Sequence, residues 1–279
     1  MSVTKLVTRR IAKPWGRCRL APWFADTAEG ADRVGEIWFE DPRGGDPDLL
    51  IKYLFTSERL SVQVHPDDAA ARAAGYPRGK EEAWLVLGVE PPGEVGLGTT
   101  LPLSAEELRA AALDGSIETL MDWKQVKAGD FIYSPAGTVH AIGAGVTLIE
   151  VQQNVDVTYR LYDYGRPREL HLDAGIAVAD ARPFAIIDRS RALGQGRTVL
   201  TEAGKFVAER WAPTTDSIYI ECSSGRPVWL TVIAGQAGDA AAGNVLMVEG
   251  DARLPVAAGT DILAAYPGGA VEPAIVRFG

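Results

Sequence analysis

Short runs of apolar and β-branched residues, separated by glycine and proline, dominate the chain and predict strands rather than helices. Val34–Glu40, Leu49–Phe55, Leu60–Val64, Glu82–Leu87 and Phe131–Tyr133 are runs of this kind. The rest of residues 1–45 reads as an irregular arm, punctuated by Pro14-Trp15-Gly16, Pro22-Trp23 and Asp41-Pro42-Arg43-Gly44-Gly45. The clearest helical signal is Ser104-Ala-Glu-Glu107, a capping box ahead of Leu108, Ala111 and Ala112. Asp114-Gly115 interrupts it and Ser116 opens a second short piece with Ile117, Leu120 and Met121, so a helical insertion is expected over about 104–124. Beyond residue 180, Gly, Ala, Thr and Val fill short runs such as Trp229–Ile233 and Val245–Val248. The expected organisation is therefore two β domains, residues 1–180 and a smaller one over 181–279 that contains no histidine.

Finer alternation places polar groups together. In Ser61-Val62-Gln63-Val64-His65 a period of two puts Gln63 and His65 on one face and the valines on the other. Glu82 opens the next strand. Gly129-Asp-Phe-Ile-Tyr-Ser-Pro135-Ala-Gly137-Thr-Val-His140 contains a Pro-X-Gly turn that delivers His140 to a strand start. Alone, that segment is equally a hairpin ending in a buried histidine. Two imidazoles, a carboxylate and an amide oxygen together suit Zn²⁺ or another borderline divalent ion with a position left open. Gln63 fits either as a ligand or as a hydrogen-bonding neighbour of one. From Leu148 to Arg160 the even positions carry Glu150, Gln152, Asn154, Asp156, Thr158 and Arg160, the odd ones mostly apolar residues, with Gln153 the exception. A solvent-facing strand has the same pattern; directly after His140 it reads as the wall of a barrel lumen. On that wall Arg160 is a fork suited to phosphate.

Charge and composition narrow the partners. The net charge of −9 over 279 residues argues against nucleic acid as a partner. No run approaches the ~18 apolar residues of a membrane span, and no secretory h-region is present, so a soluble, cytoplasmic protein with no membrane partner is expected. Cys18 and Cys222 are expected to be reduced thiols. Oligomeric state is not legible. His171 reads as structural, and Lys52, inside an apolar strand, is either a snorkelling edge residue or a pocket lysine.

Taken together, Ser61-Val-Gln-Val-His-Pro-Asp-Asp68, Gly79-Lys-Glu-Glu82-Ala-Trp84, Pro135-Ala-Gly-Thr-Val-His140, Glu150-Val-Gln-Gln-Asn154 and Tyr159-Arg-Leu-Tyr-Asp163 resemble the type I mannose-6-phosphate isomerases of the cupin superfamily, in their short bacterial form. The fragments follow the family's order over roughly residues 10–175. The resemblance implies a mainly β fold: a cupin (jelly-roll) barrel followed by a second, smaller cupin-like domain. It implies one zinc ion per chain on Gln63, His65, Glu82 and His140. It places Arg160 and Lys80 in the active site with Glu150 and Asp156 as acidic pocket residues; opening of a sugar ring needs an acid–base group as well, for which His65 or a metal-bound water is available. The implied activity interconverts mannose 6-phosphate and fructose 6-phosphate through an enediolate. A metal-binding cupin that binds a sugar phosphate without turnover is the alternative, and an iron-dependent cupin oxidoreductase a third. Three departures stand out: sixteen residues separate His65 from Glu82, longer than a generic cupin allows although this family shows such an insertion; Ala144 replaces an asparagine; and Val155 replaces a serine.

Overall fold

The structure is a computed structural model and describes residues 2–202, 204–222 and 225–279. In chain order, β1 (Ser2–Lys5), β2 (Val7–Arg17), β3 (Val34–Glu40), β4 (Leu49–Phe55) and β5 (Val62–Val64) precede the short helix α1 (Asp68–Ala73). Next come β6 (Glu82–Val89), β7 (Glu94–Thr99), α2 (Ala105–Asp114), α3 (Ile117–Leu120) and β8 (Met121–Gln125). β9 (Phe131–Ser134), β10 (His140–Ile142), β11 (Val146–Gln153), β12 (Tyr159–Tyr162) and α4 (Leu172–Val178) complete the first half. The second half holds β13 (Arg191–Gly194), β14 (Arg197–Thr201), β15 (Phe206–Trp211), β16 (Ser217–Ile220), β17 (Val228–Ala234) and β18 (Gln236–Ala237). It ends with β19 (Ala240–Ala241), β20 (Val245–Glu249), β21 (Ala252–Pro255), β22 (Asp261–Pro267) and β23 (Val276–Phe278).

Two antiparallel sheets, β2-β3-β4-β11-β6-β9 and β12-β5-β10-β7-β8, face each other in the first half. Between them pack Leu54, Trp84, Val86 and Leu148 from one sheet and Val95, Leu97 and Ile142 from the other. This is the interior of the jelly-roll expected from the sequence, a mainly β, cupin-like architecture. The outer face of the five-stranded sheet is covered by α2, α3 and α4 through Leu108, Ala112, Ile117 and their neighbours.

The six-stranded sheet is apolar on its outer face too. Ile51, Tyr53, Phe55, Ile149 and Val151 meet Phe206, Ala208, Trp229, Met247 and Leu263 of the sheet β1-β20-β17-β22-β15-β14-β13. Burial on both faces explains why every residue of β4 and β11 is buried and why β4 reads as a nearly unbroken apolar run. A second core, with Trp211, Ile218, Leu230 and Ile262, fills the second half between that sheet and the three strands β21-β16-β23.

Two expectations fail. Residues 2–17 are strands, not an irregular arm. β1 crosses to the second half and pairs with β20, Ser2 opposite Glu249, while β2 forms the edge of the six-stranded sheet. Ala12 and Arg17 both stand opposite Val34, so Pro14 sits in a bulge where its missing N–H breaks no ladder. Exposed charges such as Arg9 and Arg10 suit an edge strand and conceal its apolar signature. The helical insertion also ends early, at Leu120: Met121–Gln125 is β8, paired with β7. The expected capping box is present, with the Ser104 hydroxyl accepting from Glu107 N–H at 3.2 Å and Glu107 accepting from Ser104 N–H at 2.8 Å. Among the described residues, no helix is long and apolar enough to cross a membrane.

Candidate metal centre

Strand register brings the polar residues of distant segments together. In the five-stranded sheet His140 stands opposite Gln63, and Gln63 opposite Arg160. In the facing sheet Glu82 stands opposite Gln152, Trp84 opposite Glu150, Glu150 opposite Lys52, and Lys52 opposite Trp38. The turn that delivers His140 needs Gly137 at φ 86°, a conformation closed to most side chains. Gly137 N–H donates to the carbonyl of His65 at 2.8 Å, which locks the two histidine-bearing segments together.

His65, Glu82 and His140 form one buried cluster whose candidate ligand atoms lie within 4.8 Å of one another. Glu82 sits between the rings: its Oε2 is 3.3 Å from His65 Nε2 and its Oε1 is 3.1 Å from His140 Nε2. His140 donates Nδ1–H to the Thr138 carbonyl at 2.8 Å, which leaves the Nε2 lone pair aimed into the cluster. Burial would raise the Glu82 pKa, yet Lys80 and the two imidazoles hold it well below the usual carboxylate range. Burial, with Lys80 next, pushes His65 down to about 3, so its ring is neutral. Neither Glu82 oxygen nor His65 Nδ1 has a hydrogen-bond partner of good geometry, although all three are buried. An unsatisfied buried carboxylate between two imidazoles is the environment a divalent cation satisfies, so the residues present fit a metal ion.

Gln63 lies beside this cluster, its Nε2 3.3 Å from His140 Nε2 and its Oε1 accepting from Ser61 Oγ at 3.1 Å. Turning the amide over would present the oxygen instead. Lys80 Nζ is 3.2 Å from both Glu82 Oε2 and His65 Nε2.

The cluster borders a polar cleft lined by Lys13, Lys52, Lys80, Arg160 and Arg168 against Glu36, Glu150 and Asp156, five cations to three carboxylates in a chain that is acidic as a whole. The cleft is narrow, enclosing about 70 Å³. Glu150 is 4 % exposed, ion-paired to Lys52 at 3.1 Å and hydrogen-bonded by Trp84 Nε1 at 3.3 Å. Asp156 is exposed, in the segment between β11 and β12. Arg160 donates to the Glu169 carbonyl at 2.7 Å, but among the described residues no carboxylate pairs with it and its buried Nε lacks a partner. The nearby Asp163 is taken by Arg168. His171 accepts the Arg160 backbone N–H at 3.2 Å and returns its own to the Arg160 carbonyl at 2.7 Å, fixing that strand.

Several cleft residues were open or invisible in the sequence. Lys52 is a pocket lysine: 5 % exposed, paired with Glu150, 3.8 Å from Glu36, and 4.5 Å from the centre of the Trp38 ring. A lone charge inside the otherwise apolar β4 was the available signal. Glu36, bonded by Trp38 Nε1 at 2.6 Å and paired with Lys13 at 3.0 Å, and Arg168 were not anticipated.

The chain is 39 % identical over 175 residues to the mannose-6-phosphate isomerase of Streptococcus mutans, covering 58 % of this chain and 54 % of that protein. It is 39 % identical over 160 residues to mannose-6-phosphate isomerase ManA of Bacillus subtilis, covering 53 % and 50 %. Its relatives are mannose-6-phosphate isomerases. The sequence alignments span about half the length of these curated relatives, and no family model matches. The fold is shared more widely. A crystal structure of mannose 6-phosphate isomerase from Bacillus subtilis superposes with a TM-score of 0.81 at 24 % identity over 95 % of this chain and 99 % of that one. A zinc-bound mannose 6-phosphate isomerase superposes with a TM-score of 0.73 at 14 % identity over 96 % and 100 %.

Proposed function

We propose that the chain is a zinc-dependent aldose–ketose isomerase that interconverts mannose 6-phosphate and fructose 6-phosphate. The observation that carries this reading is the buried His65–Glu82–His140 cluster, whose neighbours Gln63 and Lys80 line a cleft with an excess of cationic side chains. The proposed ligands are those three residues and Gln63, with one ion per chain. When bound, zinc supplies Lewis-acid polarisation of carbonyl and hydroxyl oxygens.

The remaining work falls to the chain. Isomerisation moves a proton between C2 and C1 through an enediolate, so it needs a base near the metal and cations near the developing charge. Glu150 takes the base role in this reading, because it is buried on the same inner wall, two residues along β11 from the partner of Glu82. Asp156, exposed at the mouth, is the other carboxylate available for proton transfer. Lys80, within 3.2 Å of Glu82, is placed to offset charge on the enediolate. Arg160, which has no carboxylate partner among the described residues, receives the phosphate through its guanidinium fork in this reading. Arg160 and Arg168 both line the cleft.

The test is a coupled assay on protein stripped of metal and reloaded with zinc. Arg160→Ala should lower kcat/KM by about 10- to 100-fold, the loss expected for hydrogen bonds to a charged group. Full activity in that variant would remove Arg160 from the site.

A further inference from the structure

Glu82 enters its strand from a long connection, residues 65–81, whose only regular element is α1. Little ladder therefore holds Gly79–Glu82, although this segment presents both Lys80 and Glu82. The structure shows what holds it. Glu81 N–H donates to Gln153 Oε1 at 3.0 Å, and Gln153 N–H returns to the Glu81 carbonyl at 3.1 Å. Gly79 N–H donates to Asp68 Oδ1 at 2.8 Å.

Both carboxylates in this arrangement are then gripped by one turn of the second half, between β14 and β15. Lys205 Nζ is 2.8 Å from Asp68 Oδ2. Lys205 N–H donates to Glu81 Oε2 at 3.2 Å, and the same oxygen accepts from the Tyr133 hydroxyl. Gly204 is pressed against them: at φ 76°, an added Cβ would collide with Tyr133 Oη and Glu81 Oε2. Side chains alternate along extended backbone, so Glu81 reaches outward to this turn while Lys80 and Glu82 reach inward to the cluster.

We propose that the Gly204-Lys205 turn positions Glu82 and Lys80 for the metal ion, making it the second half's contribution to the centre. The inference rests on the reading of the cluster as a zinc site. Neither residue touches the cluster; both act through Glu81 and Asp68. Groups bonded directly to metal ligands change metal affinity by about 10- to 100-fold when lost, and this turn acts one step further out, so a smaller loss is expected.

The experiment loads the full chain with zinc and follows transfer of the ion to an excess of a colorimetric chelator. Lys205→Met and Gly204→Ala should release zinc faster than wild type by roughly threefold or more, below the range for direct partners of ligands, and Lys205→Arg, which keeps the charge, should return towards the wild-type rate. Ser104→Ala, which loosens α2 away from the turn, serves as a control for general destabilisation and should release zinc like wild type. Wild-type release from both Lys205→Met and Gly204→Ala, in protein that holds zinc, overturns this inference alone. A wild-type chain that binds no zinc overturns the metal reading and this inference with it.

Discussion

Replacing Lys52 with methionine isolates the energetics of the cleft. The lysine is 5 % exposed, lies 3.1 Å from Glu150 and 3.8 Å from Glu36, and covers the Trp38 ring. Methionine fills much the same volume, but Glu150 then loses its ion pair and Glu36 keeps only the one with Lys13, with Lys80 acting on both from further off. Removing one partner of a buried pair costs about 3–5 kcal/mol. At ~2–4 °C per kcal/mol, the Tm at pH 7.5 should fall by roughly 6–20 °C. The pH dependence has a definite sign. In the wild type, burial raises the Glu36 pKa, but Lys52, Lys13 and the Trp38 N–H outweigh it and hold the group below its usual value. Its ionised form therefore contributes stability above about pH 4.5, lost as pH falls through the lower folded value. In Lys52→Met the folded pKa of Glu36 rises, so the penalty is largest at neutral pH and shrinks towards pH 4.5 as Glu36 takes up a proton. Urea unfolding followed by tryptophan fluorescence at both pH values measures this. Equal stability of variant and wild type at pH 7.5, or a penalty that grows on acidification, refutes the reasoning.

Other consequences are simpler. Ser104→Ala removes the N-cap of α2 and should cost about 1 kcal/mol, read from the urea midpoint, without changing zinc uptake. Arg197→Met leaves the fully buried Glu209 without its ion pair and should destabilise the protein by about 3–5 kcal/mol while zinc release stays at the wild-type rate. In metal-free protein His65 takes up its proton on unfolding, because its folded pKa is pushed down to about 3 by burial and Lys80. Stability should therefore fall as pH drops below about 6.5, and a flat profile of unfolding free energy between pH 7.5 and 5.5 contradicts the neutral, buried assignment.

What the sequence revealed and what it hid follows from the range of the interactions. Gln63 and His65 share a face by period-two geometry alone, and the Pro135-X-Gly137 turn that carries His140 is a local feature; both are readable without knowing strand pairing. Ser104 and Glu107 satisfy each other within four residues, so α2 was visible for the same reason. Lys52 was ambiguous because its meaning lies in its register opposite Glu150, nearly a hundred residues away. Glu36 and Arg168 escaped notice for the same reason. β2 was missed because an edge strand carries charge and tolerates Pro14 in a bulge. The grip of Lys205 on Asp68 was beyond reach, since it depends on how the two halves of the chain pack.

The most direct measurement is a zinc titration of stripped protein with mannose 6-phosphate turnover as the readout. Activity should rise in proportion to added zinc and level off at one ion per chain, with Glu82→Gln requiring far more zinc to reach any plateau. Full turnover before zinc is added, or one tightly held ion per chain with no turnover, contradicts the assignment of this cluster as the centre of an isomerase.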